Sequence, residues 1–292
     1  MSLMQLIGLA INASMFLVVF ALGLRSKLAD VTYLGRHPGL FFRSIVAMNV
    51  VMLLFAIAVI MLFNPPAPIK IALVALSVSP VPPVLPGKQF AAGGSAGYTI
   101  GLLAGAAIVS VAFVPFVIEM LGRIFSVDMH EPISKVSSVV LISVVIPLVA
   151  GIVLRKFAPA FAERAAAPIS TIATVLLVIA VLPVLVVAAP TFWSLVGNGV
   201  LICLIAFTLV GIAVGHLLGG PNPHNRAVLA LATGTRHPGI AIAISSINFP
   251  SQKSVLAVVL FHLIIGAIVS LPYVRRHKKI PAAAADSKGA AP

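Results

Sequence analysis

The chain has 292 residues, of which 61% are hydrophobic and only 9% charged, with a formal charge of +13 and a mean hydropathy of +1.18. A soluble domain carries about a quarter charged residues to keep its surface wetted, so this composition excludes a wholly water-facing surface and points to lipid. The positive balance does not imply a nucleic-acid partner, because the basic residues sit in short loops between apolar runs rather than in a separate basic domain.

Nine apolar stretches are long enough to cross about 30 Å of hydrocarbon, at residues 3–24, 39–63, 68–94, 96–121, 134–155, 168–189, 196–219, 225–247 and 253–274. The expected fold is therefore an all-α polytopic membrane protein with nine transmembrane helices. The first stretch lacks a basic leader and a cleavage site and reads as a retained span, not a signal peptide. The second holds Asn49 among Val, Met and Leu, where an amide either lines a cavity or bonds across helices. The fourth carries Thr99, and the row Gly93, Gly94, Gly97, Gly101 and Gly105, which begins just before it, lets helices approach closely, at a sliding interface or in plain tight packing. The seventh contains Cys203, and a single cysteine permits no intrachain disulfide. After Tyr273 the chain runs RRHKK and then PAAAADSKGAAP, whose small polar composition predicts disorder.

Loop charge sets an expected orientation. Arg25, Lys27, Arg36, Arg155, Lys156, Arg164, Arg226, Arg275, Arg276, Lys278 and Lys279 fall on one side, and only Lys70, Arg123, Lys135 and Lys253 on the other. The richer side is expected to be cytoplasmic, with the N-terminus outside and the C-terminus inside a bacterial plasma (inner) membrane. With residues 1–122 as a first repeat of four spans, 123–167 as a connecting span and its loops, and 168–275 as a second repeat, the second unit enters from the opposite side. That is an inverted repeat, an architecture of transporters. Residues 276–292 form a tail.

Both repeats are interrupted at their third span. The first interruption, LSVSPVPPVLPGKQF, holds Pro80, Pro82, Pro83 and Pro86. Each proline removes a backbone donor and clashes with the preceding turn, and lipid cannot satisfy the carbonyls released. The second, ALATGTRHPGI, holds Gly234, Pro238 and Gly239 beside Thr233 and Thr235. Interrupted spans in matching places of two halves mark a transporter binding site, and their half-helix N-termini favour anions.

Lys88 follows the first break, and Arg236 and His237 lie in the second. A cation at mid-membrane costs about 2.5–3.5 kcal/mol on insertion scales. Asp30, Asp128, Glu131, Glu163 and Asp286 fall in loops or the tail, and Glu119 lies near the end of its span, so no carboxylate offers itself at mid-depth. An anionic ligand would supply the missing counter-charge, and arginine's planar fork suits a carboxylate, sulfate or phosphate. Three humbler roles compete: Lys88 snorkelling to an interface, Arg236 donating to freed carbonyls, and His237 packing as a neutral ring. His216 and His262 also lie in spans, and each reads as a satisfied buried histidine.

These segments resemble the bile acid:sodium symporter family over nearly the whole chain. MFLVVFALGLRSKLADVTYLGRHPGLFFRSIVAMNVVML is similar to the family's first region, with Asn49 at its glutamine and Leu53 where a proline is usual. LSVSPVPPVLPGKQFAAGG and ALATGTRHPGIAIAI align with the family's two crossover motifs, the second retaining Gly234 and Gly239. The resemblance implies a panel domain and a core domain with two discontinuous helices crossing in the core. It also places the family's sodium ligands on Ala232, Arg236 and His237 in the second crossover and on Leu85 and Pro86 in the first, with Thr99 keeping one hydroxyl position and Leu103 replacing another. Sodium needs several oxygen ligands, and this chain keeps too few, which argues against sodium coupling.

The expected function is a secondary transporter of a small organic anion by alternating access. Uniport, exchange and proton linkage through His237 all stay open, with Lys88 and Arg236 standing in for sodium. The substrate-binding candidates are Lys88, Arg236, His237, Asn49, Pro86, Thr233, Thr235 and Thr99. The rivals are a sodium-coupled symporter and a non-transporting anion receptor or sensor. An enzyme ranks last, since no paired carboxylates or His/Cys clusters occur, and a channel lacks a ring of pore charge. No cofactor, metal or protein partner is implied beyond the anion and the lipid bilayer.

Overall fold

The computed structural model describes residues 3–125, 129, 132–196 and 199–278. Asp128, Glu131, Lys279, Asp286 and the tail beyond Lys278 lie outside the described residues. The described chain is helical throughout, in order α1 (Leu3–Arg25), α2 (Pro38–Phe63), α3 (Ala67–Val78), α4 (Leu85–Ala91), α5 (Ala96–Phe125), α6 (Ile133–Phe157), α7 (Pro159–Val196), α8 (Val200–Leu218), α9 (Pro223–Gly234), α10 (Pro238–Asn248) and α11 (Ser254–His277). Two short helical turns, Leu28–Val31 and Tyr33–Arg36, join α1 to α2. With α3–α4 and α9–α10 counted as two broken spans, the described residues form nine crossings, at the positions hydropathy predicts.

The largest departure is α7, expected over 168–189 and observed over 38 residues. Its N-terminal extension carries Glu163 and Arg164, which a hydropathy window rejects although helix propensity tolerates them. The extension packs on α1, where Leu24 and Phe20 meet Ala162, Ala165 and Ala166.

Proline placement explains where the broken spans restart. Pro86 stands in the first turn of α4 and Pro238 in that of α10, where the missing N–H costs no helical bond. Pro86, expected to help break the third span, thus begins its second half; the interruption itself is residues 79–84, with Pro80, Pro82 and Pro83.

The helices sort into two packed groups. Helices α1, α6 and α7 contact one another extensively and form a panel, in which Gly23 of α1 and Gly151 of α6 meet backbone to backbone. Outward, α7 leaves Ile179, Val186, Val187 and Trp193 exposed, a surface suited to lipid. The remaining spans form the core. There α3 packs against α10 and α4 against α9, so the first half of one broken span meets the second half of the other.

Two glycine rows do different work. Gly97, Gly101 and Gly105 of α5 have Tyr33, Asp30 and Phe41 as their closest neighbours, which makes them seats for the α1–α2 connection and the first turn of α2. Gly211 and Gly215 of α8 and Gly219 just past its end, not singled out in the sequence, admit the backbone of α9. A methyl at Gly215 would stand 2.4 Å from the Leu229 carbonyl oxygen. Gly215→Ala is therefore expected to lower stability by roughly 1–3 kcal/mol through overpacking, read as a lower thermal midpoint in detergent, while Gly8→Ala, with open space around it, shows no such loss.

Candidate functional site

A helix break within a membrane leaves carbonyls that lipid cannot satisfy, and here the second break supplies donors to the first. The Pro80 carbonyl in the first accepts from the His237 backbone N–H in the second at 2.9 Å. The Ser79 carbonyl accepts from Arg236 Nη1 at 3.3 Å. Arg236 Nη2 donates to the Met48 carbonyl, in a π-helical stretch of α2 (Val46–Val51). One guanidinium fork thus joins the second, third and eighth spans. Further toward α4 and α9, Gln89 Nε2 donates to the Val228 carbonyl at 2.9 Å, His224 Nδ1 lies 2.6 Å from the Gly93 carbonyl, and Ser95 Oγ donates to Asn225 Oδ1 at 2.9 Å.

Arg236 is wholly buried, at 0% exposure, with no carboxylate partner among the described residues. Its place is the interior of the crossing, away from the cavities described below. His237 is also buried, and its Nδ1 accepts from the Ile240 N–H at 3.3 Å, capping α10; its Nε2 has no partner among the described residues. Asn49 is buried in the π-helical stretch, next to Met48. Thr233 spends its hydroxyl on the Leu229 carbonyl at 2.8 Å. Thr235 ends α9 in extended conformation, half-buried in the break. Thr99 is buried on α5, and its hydroxyl has no hydrogen-bond partner among the described residues. Of the oxygens near the breaks, the Thr233 hydroxyl is engaged and the Ser79 and Met48 carbonyls accept from the Arg236 guanidinium, whereas the Thr99 hydroxyl and Gln89 Oε1 have no partner among the described residues.

Lys88 and Pro86 come together elsewhere. Lys88 Nζ donates to Ser270 Oγ and, at 3.4 Å, toward the Gly266 carbonyl, both on α11. Lys88, Pro86 and Gly87 then line a cavity of about 310 Å³ between the core helix α4 and the panel helices α1 and α7. The panel contributes Arg25, Ser170 and Thr174, and an apolar wall that includes Leu22 and Leu177. This volume sits at the small end of ligand pockets, about 300–1,000 Å³. A cavity of about 320 Å³ bordered by Ile60, Lys70 and Phe249 is larger by a little but nearly all apolar, and offers one cation without convergent polar groups.

Arg25, Ser170 and Thr174 escaped the sequence reading. Arg25 counted only as a loop charge, and the one available signal was the cluster of hydroxyls Ser170, Thr171 and Thr174 within an otherwise apolar span. His262 is a correction. It is buried against Phe207, with ring centroids 5.4 Å apart, and neither ring nitrogen has a partner among the described residues. Its neighbours along α11 are apolar, so no local donor or acceptor reaches it. His216 has a partner, the Tyr273 hydroxyl at 2.8 Å from Nδ1, but it is half-buried rather than buried as expected.

Compared with known families, residues 13–195, more than half of the chain, match the model described as the sodium bile acid symporter family. The match includes every residue named above for the Lys88 cavity and ends before the second break. None of the curated proteins compared matches the chain.

Removing the Arg236 fork orphans the buried Ser79 carbonyl in the break, at about 1–3 kcal/mol, and takes a charged donor from the helical Met48 carbonyl. Arg236→Met is expected to lower the thermal midpoint markedly, and Arg236→Lys to recover little, because an ammonium cannot span both carbonyls as a planar fork does. An unchanged midpoint in Arg236→Met would contradict this assignment.

Proposed function

The chain belongs to the sodium bile acid symporter family, and on that premise we propose that it is a secondary transporter of a small organic anion that does not use sodium. The observation that carries the reading is the Arg236 guanidinium, buried at the crossing on the Ser79 and Met48 carbonyls. A fixed cation there does the electrostatic work that a bound metal ion does between carbonyl oxygens, and it cannot leave. It also repels a second cation. Arg236 thus acts as a permanent staple of the two breaks, and substrate contact passes to the Lys88 cavity.

In that cavity Lys88 and Arg25 supply positive charge from opposite walls, Ser170 and Thr174 supply hydroxyls, and Leu22 and Leu177 take an apolar body. The matching ligand is a compact amphipathic carboxylate. Because the cavity lies between panel and core, rocking one against the other would open it to alternate sides of the membrane. The inverted repeat of residues 1–122 and 168–275 would give that motion its symmetry, in a plasma membrane with the N-terminus outside. The capping role of His237 supports uniport or exchange over a proton-linked cycle.

A panel of small organic carboxylates, tested by thermal shift and by uptake into proteoliposomes, examines this reading. The expected result is stabilisation and uptake unaffected by replacing sodium with potassium, with apparent affinity weakened at least about tenfold, or about 1.4 kcal/mol, in Lys88→Gln and in Arg25→Gln. Uptake that requires sodium, or that ignores both substitutions, would overturn it. Binding without uptake would favour a receptor that kept the site and lost transport.

A further inference from the structure

A second basic site lies where the end of α8, the start of α9 and the end of α11 converge. A cavity of about 590 Å³ opens there, bordered by His216, Arg226, Tyr273, Arg276 and His277, with no carboxylate in its lining. The aromatic groups form a compact stack. The His277 ring lies on Tyr273 with centroids 4.0 Å apart and meets His216 edge-on at 5.6 Å. Tyr273 also donates to the Arg226 carbonyl at 3.4 Å, and Arg226 Nε to the Gly220 carbonyl at 2.6 Å, which fixes the position of the Arg226 guanidinium. Arg276 is exposed at the rim.

The other wall is apolar and faces outward. Leu209 and Leu217 of α8 line the cavity and are 51% and 78% exposed. Ile202, seven residues before Leu209 and 74% exposed, continues the same helical face. A cationic mouth at the helix ends therefore opens onto an apolar strip running along the span. A soluble anion would leave that strip uncovered, and a neutral lipid would leave the cations unmatched. Basic pockets between spans are suited to anionic headgroups. We propose that this cleft binds an anionic phospholipid, its phosphate between Arg226, Arg276 and His277 and one acyl chain along Leu217, Leu209 and Ile202. Since α9 is the first half of a broken span, the lipid would brace the core where that span begins.

Native mass spectrometry of the full chain, with phosphatidylglycerol or phosphatidylcholine of the same acyl chains, tests the site. The expected outcome is one retained phosphatidylglycerol, reduced about fivefold or more by Arg276→Gln and unchanged by Arg275→Gln, whose side chain is exposed but outside the cleft. Equal retention of the two lipids, or equal losses in the two variants, would overturn the proposal in favour of general surface charge. Stabilisation by inorganic phosphate alone that depends on Arg276, without lipid preference, would overturn it in favour of a soluble anion.

Discussion

A membrane span interrupted by proline must find new partners for its backbone or not exist, and this requirement organises the core. The Ser79 and Pro80 carbonyls in the first break are met by Arg236 and the His237 N–H in the second. Although the Pro82 carbonyl accepts from Leu85 N–H and His237 Nδ1 from Ile240 N–H within their own spans, the Ser79 and Pro80 carbonyls find their donors in the other span, which ties the two breaks into one unit. The pairing of α3 with α10 and of α4 with α9 follows from it, as do the Gln89–Val228 and Ser95–Asn225 bonds beyond the crossing. Close approach of α8 then holds α9 in place through Gly211 and Gly215.

This arrangement separates two roles that a cation at mid-membrane can play. Arg236 turns both terminal nitrogens onto carbonyls, with Nε left without a partner among the described residues, whereas Lys88 is held by Ser270 at the border of a cavity. Family membership implies a transporter, and the division of labour suggests how one such fold dispenses with a coupling ion. In the cycle proposed above, the tethered guanidinium would supply the charge permanently, and a staple that never dissociates would not link substrate movement to an ion gradient.

Much of the fold was legible because membrane spans announce themselves by local composition. The nine crossings and both breaks follow from hydropathy and from Pro80, Pro82, Pro83, Gly234 and Pro238. Residue partnerships were not legible, because they join positions far apart in sequence. Nothing around Arg236 indicates that Met48 would offer it a carbonyl from a π-helical stretch, and nothing around Arg25 places it opposite Lys88. Charge at the end of α1 reads equally as an orientation signal or as a cavity wall, and only packing of α1 against α7 decides. The unpartnered His262 shows the opposite failure: an expectation of satisfied polar groups, sound on average, broke where the neighbours proved to be apolar.

The central claim is that Arg236 holds the crossing in place of sodium. Its most direct test is the thermal midpoint of the purified wild-type protein across a sodium titration, with potassium making up constant ionic strength. The account predicts a flat response. A saturable, sodium-specific rise in the midpoint would mean that an ion binds the folded state after all, and would contradict it.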